Sequence, residues 1–159
     1  VGHSERRTYF KETNETCNLK LKALEKHDMN AIYCVGETLK EYEEGKTKSV
    51  IKKQVLKGLE GLSKEYISEL TIAYEPVWSI GTGKNASKEI AENVCAFIRS
   101  TIADLYNKDA ADSVRILYGG SVKPDNVKAY MSMENIDGAL VGGASLAIDS
   151  YKELIVNMK

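Results

Sequence analysis

The chain has 159 residues, 43% of them hydrophobic, with 22 Lys and Arg against 23 Asp and Glu and a formal net charge of −1. That balance provides no field to draw in nucleic acid or an anionic membrane, and no stretch approaches the ~20 apolar residues of a spanning helix. No signal or transit sequence is visible. Cys17, Cys34 and Cys95 are odd in number and lack CxxC or metal-ligand spacing, so a reducing, cytoplasmic setting is expected.

Val1-Gly2-His3-Ser4-Glu5-Arg6-Arg7 reads as the last residues of a strand entering a functional loop. The chain is therefore expected to begin inside a larger unit whose other part lies on the N-terminal side. Cys17, Leu21 and Leu24 mark the helix that completes this first unit. Ala31–Val35 is an apolar strand stopped by Gly36, and its helix shows Val50, Ile51, Val55, Leu56 and Leu59 at helical spacing. Leu70–Tyr74 is the next strand, ending on Glu75. After it comes a loop, then a helix capped by Ser87 with Ile90, Val94, Phe97, Ile98, Ile102 and Leu105 on its inner face.

Val114–Tyr118 ends in Gly119-Gly120-Ser121. Pro124 suits a first helical turn, and Val127, Tyr130 and Met131 follow. Gly138–Val141 ends in Gly142-Gly143, and a closing helix carries Leu146, Tyr151, Leu154 and Ile155. Apolar strands alternating with helices predict a parallel α/β sheet buried on both faces. Every loop rich in glycine or polar residues follows a strand, which puts the chemistry at the carboxyl ends of the strands in a barrel or a doubly wound sheet alike.

Three groups could carry that chemistry. Glu75 stands at a strand end before Pro76-Val77-Trp78-Ser79-Ile80-Gly81-Thr82-Gly83-Lys84, a loop stiff at its start and pliant at Gly81 and Gly83. That pattern suits a hinged lid beside one acid/base residue. The two glycine pairs, each ahead of a predicted helix, bare backbone N–H groups that fit a phosphate better than two chance turns do. His3 stands at a strand end, where an imidazole can polarise a carbonyl, and a helix starting behind it favours the neutral ring. A structural His3 is equally compatible with the residues alone, and His27 reads as a surface residue. No HExxH or His/Cys cluster is present, GxGxxG is absent, and Gly81-Thr82-Gly83-Lys84 lacks P-loop spacing, so neither metal catalysis nor an NAD or P-loop nucleotide site is expected.

On the residues alone, other sugar-phosphate barrel enzymes and a self-assembling phosphate-binding half-barrel stay open. A Schiff-base aldolase needs an inner-strand lysine, and Ala31–Val35, Leu70–Tyr74 and Gly138–Val141 contain none.

Gly2-His3-Ser4-Glu5-Arg6-Arg7, Cys34-Val35-Gly36-Glu37, Ala73 through Lys84, Leu117 through Val122 and Asp137 through Ser145 together resemble the triosephosphate isomerase family, in order and spacing, across the whole chain. The resemblance implies that residues 1–159 are the C-terminal part of a (β/α)8 barrel. Strands five to eight would be present, and strands one to three and most of strand four absent. It implies a triose phosphate substrate, no cofactor, and a homodimer for the complete enzyme. Glu75 would be the base, His3 the electrophile and Glu5 a carboxylate near the site. Gly81, Ser121, Gly142 and Gly143 would grip phosphate, and Cys34 would pack near the base. The base, the neutral histidine and the closing loop are roles for which this family is itself a standard example. The family's asparagine and lysine from its first strand lie outside this sequence.

Overall fold

Side-chain oxygens fix where five of the nine α-helices among the described residues begin, in a computed structural model that describes residues 1–80 and 85–158. In chain order the first elements are α1 (Ser4–Phe10), α2 (Asn14–Lys26), β1 (Ile32–Val35), α3 (Leu39–Glu43), α4 (Thr47–Gly58) and α5 (Lys64–Glu69). They are followed by β2 (Thr71–Tyr74), α6 (Lys88–Leu105), α7 (Lys108–Ser113), β3 (Arg115–Tyr118), α8 (Val127–Met131), β4 (Gly138–Ala139) and α9 (Ile148–Asn157). Thr13 and Thr16 form a capping box ahead of α2, and Thr38 and Glu41 form one ahead of α3. Ser63, Ser87 and Asn107 each accept an N–H from the first turn of the helix that follows. The Ser87 cap lies where the sequence puts it.

The strands β1 to β4 pair in sequence order, all parallel. Parallel neighbours need a crossover, and α4 and α6 supply the long ones, packing on β1 and on β2 and β3. Val1 continues the ladder beyond β1. Its nitrogen donates to the Ile32 carbonyl at 2.8 Å, and its carbonyl accepts from the Cys34 N–H at 2.8 Å. Val1 thus lies beside β1 with the bonding of a parallel neighbour.

The two faces of the sheet differ. Tyr33, Ile72 and Ile116 share one row and Val35, Tyr74 and Tyr118 another, and all six are essentially inaccessible. They face the helices: the Tyr33 hydroxyl donates to the Gln54 carbonyl of α4, and the Tyr118 ring stacks on Tyr130 of α8 at 4.2 Å. Gly58 makes room for Tyr33, because a Cβ there would stand 2.3 Å from the phenol oxygen. On the opposite face Cys34 and Ala73 are buried, but Ile32 is 40% exposed and Arg115 lies open. The helix side is sealed; the other side is only partly covered.

Several boundaries differ from the sequence reading. Leu70 and Val114, expected to open strands, instead end α5 and α7 as extended caps and stay buried. Expected to run from Gly138 to Val141, the last strand has two residues, with one further bond from the Leu140 N–H to the Tyr118 carbonyl. Pro124 lies in the turn ahead of α8, whose N-cap is Asn126. Of the expected inner face of the closing helix only Leu154 is buried. Leu146 lies ahead of α9 after the turn that precedes it, and it is exposed, as are Tyr151 and Ile155 on the helix itself. The short helices α3, α5 and α7 have too few residues to show a periodic stripe.

Candidate active site

Glu75 leaves the end of β2 with its backbone fixed on both sides. Its N–H donates to the Val35 carbonyl at 2.7 Å, and the Gly119 N–H donates to the Tyr74 carbonyl at 2.7 Å. The side chain is buried, with three donors around it. Oε1 lies 2.9 Å from His3 Nε2, Oε2 accepts from the Ser4 N–H at 3.1 Å, and the Cys34 thiol donates as well. Burial pushes the carboxyl above its ordinary range; the His3 imidazole, these bonds and the Arg7 cation offset part of that rise. Burial, and then the charge of Glu75, push the Cys34 thiol up to about 12, so it stays protonated and donating.

His3 is the N-cap of α1. Its Nδ1 accepts from the Glu5 N–H at 3.3 Å, so the proton of the neutral ring sits on Nε2 and points at Glu75. Gly2 puts the ring there. Its φ of +78° suits glycine, and a Cβ would meet Arg7 Nη2 at 2.9 Å and the Cys34 carbonyl at 3.0 Å. The Gly2 N–H donates to buried Glu12, which also pairs with Lys20.

A cavity of about 890 Å³ opens at the carboxyl ends of β2, β3 and β4. His3, Glu75, Ser121, Gly142 and Gly143 all line it, with Lys123 as a further cation. Gly120 is obligatory at the loop after β3, since a Cβ would stand 2.2 Å from the Tyr118 hydroxyl. Asn126 braces this loop, accepting from the Lys123 N–H and donating to the Ser121 carbonyl. The Ser145 hydroxyl does the same for the Gly142 carbonyl at 2.7 Å. A Cβ at Gly142 or Gly143 would meet nothing within 4 Å, so both face open space. Among the described residues no protein group accepts from the N–H of Ser121, Gly142 or Gly143.

Two details depart from the expected pattern. Gly142-Gly143 opens a 3₁₀ turn (Gly143–Ser145) and not α9 directly, and several residues separate Gly120 from α8. Glu5 contributes its backbone N–H to His3, while its side chain is exposed and outside the cavity. Gly81 lies outside the described residues. Among those described, no group of three or more His, Cys, Asp or Glu is placed to hold a metal ion, and no helix is long and apolar enough to cross a membrane.

Glu37 is a residue to which the sequence reading gave no role. It is fully buried behind the loop, where its Oε1 accepts from Trp78 Nε1 at 2.9 Å, the Tyr74 hydroxyl at 3.1 Å and the Thr47 hydroxyl at 3.2 Å. Trp78, in a 3₁₀ turn (Val77–Ser79), stacks on Tyr42 at 4.2 Å. The start of the loop is therefore anchored on a buried carboxyl, and burial raises that carboxyl above its usual range against these three bonds. A carboxyl raised on folding stabilises the fold fully below its unfolded value near 4.5, and that contribution is lost as pH rises through the folded value. Glu37→Gln is expected to flatten the fall in urea midpoint above that pH. Glu37→Leu, which leaves three donors without their shared acceptor, should cost about 2–3 kcal/mol. Equal urea midpoints for the two variants at neutral pH would count against the anchor.

A cleft at the carboxyl ends of parallel strands is common to barrels and doubly wound sheets, but these strands pair in unbroken sequence order, each followed by a helix, as in the (β/α) barrel class and without the reversal of strand order of a doubly wound sheet. Within that class, the family model described as Triosephosphate isomerase matches residues 1–158, and the chain belongs to this family. It is 54% identical over 155 residues to the triosephosphate isomerase of Streptococcus mutans serotype c, covering 98% of this chain and 62% of that protein. Its identity to the triosephosphate isomerases of Carboxydothermus hydrogenoformans and Caldanaerobacter subterraneus subsp. tengcongensis is 55% and 54%, with the same coverage. The chain thus spans 62% of the length of these curated relatives.

Proposed function

We propose that this chain supplies the base, the electrophile and the phosphate-binding loops of a triose-phosphate isomerase, which interconverts dihydroxyacetone phosphate and D-glyceraldehyde 3-phosphate in glycolysis and gluconeogenesis. The observation that carries the reading is the 2.9 Å contact between buried Glu75 and His3 Nε2, in one cavity with both glycine loops. A substrate carbonyl oxygen takes the place of the Glu75 oxygen at Nε2 and accepts the imidazole hydrogen bond. The freed carboxylate removes a proton from the adjoining carbon. The electron pair moves into the carbon–carbon bond, and the oxygen becomes the enediolate oxygen held by His3. A proton passes by way of His3 from the neighbouring hydroxyl oxygen to the enediolate oxygen, so that the first becomes the new carbonyl and the second the new hydroxyl, and Glu75 returns its proton to the former carbonyl carbon, completing a 1,2-shift in which nothing is oxidised overall. Burial makes Glu75 a stronger base than a solvated carboxylate, which suits abstraction from carbon.

The phosphate dianion sits on the N–H groups of Ser121, Gly142 and Gly143, with Gly81 joining when the lid covers it. Closure of the loop keeps water from the enediolate. Glu5 serves through its backbone N–H, which holds the His3 ring. The complete enzyme is cytoplasmic, consistent with three buried, unpaired cysteines, and it is a homodimer. Tyr9 and Phe10, both largely exposed on α1, offer apolar surface for such a partner.

Residues 1–159 form strands five to eight of the barrel in this reading, and the segment matching the rest of the relatives' length supplies the others. The chain by itself is expected to turn over weakly or not at all. Turnover should rise when that segment is added in trans, as read by coupled isomerisation of glyceraldehyde 3-phosphate. Full turnover by the chain as a monomer would overturn the division into parts, and no turnover from the completed barrel would overturn the function.

A further inference from the structure

We propose that Arg7 is a positioning residue for the His3–Glu75 pair, acting through the peptide that carries His3 and without touching substrate; the inference rests on the isomerase reading above. The guanidinium occupies the space that a side chain at Gly2 would fill. Its Nε donates to the Gly2 carbonyl at 2.8 Å, half of the peptide group linking Gly2 to His3. Its Nη2 reaches the Cys34 carbonyl at 3.2 Å and the Tyr33 hydroxyl at 3.5 Å at the end of β1, and its Nη1 donates to Asn14 at 2.8 Å. Cys34 in turn contacts Glu75 through its thiol, and β2 carries Glu75 in register beside β1. One rigid fork therefore spans from the backbone of the electrophile to the strand end beside the base.

Among the described residues, no carboxylate lies within ion-pair distance of Arg7, and its hydrogen-bond acceptors are all neutral. Arg99, by contrast, is matched by Asp137 at 2.7 Å. Left unmatched, the Arg7 cation acts on its surroundings. Those are Glu75, with His3 and Cys34 facing the same carboxyl, and, around the guanidinium itself, Cys17 of α2, Tyr33 and Cys34 of β1. A permanent cation on this side favours the ionised, proton-accepting form of Glu75. The fork therefore sets the geometry of the pair and its charge biases the base.

Arg7→Lys and Arg7→Met in the completed barrel separate the two effects. Arg7→Lys keeps the charge and loses the fork, so kcat should fall roughly tenfold or more with KM nearly constant and the acid limb of kcat/KM in place. Arg7→Met loses both: kcat should fall at least as far, and the acid limb should move to higher pH, because Glu75 ionises less readily without the cation. Added guanidinium should restore part of the turnover of Arg7→Ala. Arg7→Met with kcat within about twofold of the parent, or a loss without a shifted limb and without rescue, overturns the proposal. If Arg7→Met does not fold by circular dichroism, an Arg7→Lys kcat within that same margin overturns it equally. An inactive parent counts against the isomerase reading. Position is then read from the ¹⁵N resonances of the His3 ring, and if these are unmoved in Arg7→Lys the proposal fails on its own account.

Discussion

Glu75→Gln in the completed barrel is expected to lower kcat by roughly 10²–10⁴-fold while leaving a phosphate-bearing inhibitor bound nearly as tightly as before. The amide can fill the same buried space between the Ser4 N–H and His3 Nε2, keeping the packing and one of the two acceptor oxygens. It cannot accept a proton from carbon. The phosphate-binding N–H groups belong to the other two loops and are untouched, so the loss should fall on kcat and not on inhibitor affinity. Raising the pH should not recover the activity, since no carboxyl remains to ionise. Single-turnover kinetics with inhibitor titration would check this. A variant retaining more than about a tenth of the parent turnover would remove Glu75 from the role of base.

Gly36→Ala should harm both stability and turnover, although residue 36 never meets the cavity. A Cβ there would stand 1.7 Å from the Glu75 carbonyl oxygen and 2.6 Å from its carbon. Neither partner can step aside. The Gly36 N–H and carbonyl are both held by the Gln54 amide, at 2.8 and 3.0 Å, and the Glu75 N–H is tied to Val35. The ends of β1 and β2 must therefore spread, and such overpacking of backbone should cost about 3 kcal/mol or more. The spreading displaces Glu75 from His3, and a shift of roughly 1 Å in a reacting pair is worth about 100-fold in rate. Thermal melts and kcat on the same sample would test both parts. An alanine variant within about 1 kcal/mol of the parent would mean that the strands are not locked as described.

The parts of the fold legible in the sequence were those written in short-range chemistry. The Ser87 cap, the apolar strand cores and the glycine-terminated strand ends all announce themselves within a few residues. Glu75 and His3 stand at strand ends, where function concentrates, and could be singled out on that ground before their distance was known. What escaped depends on partners far along the chain. Glu37 is a glutamate like its neighbours until Tyr74, Trp78 and Thr47 converge on it, and Arg7 gains its place only because Gly2 and the end of β1 meet there. The closing helix misled for the opposite reason. Its apolar residues repeat at helical spacing, but periodicity does not reveal whether a neighbour exists to cover them, and Tyr151 and Ile155 are left exposed.

Two contacts made directly on the His3–Glu75 pair from α1 come from main chain: the Ser4 N–H on one carboxylate oxygen and the Glu5 N–H on the imidazole. Any residue with an amide hydrogen would provide them. A mutational scan of side chains at these two positions can therefore return silence where the chemistry is most constrained, and drift in sequence here carries little information about drift in mechanism. What inheritance must preserve is the route of the backbone out of Gly2, and replacing a single amide by an ester at Ser4 or Glu5 would reveal it more directly than any of the twenty amino acids.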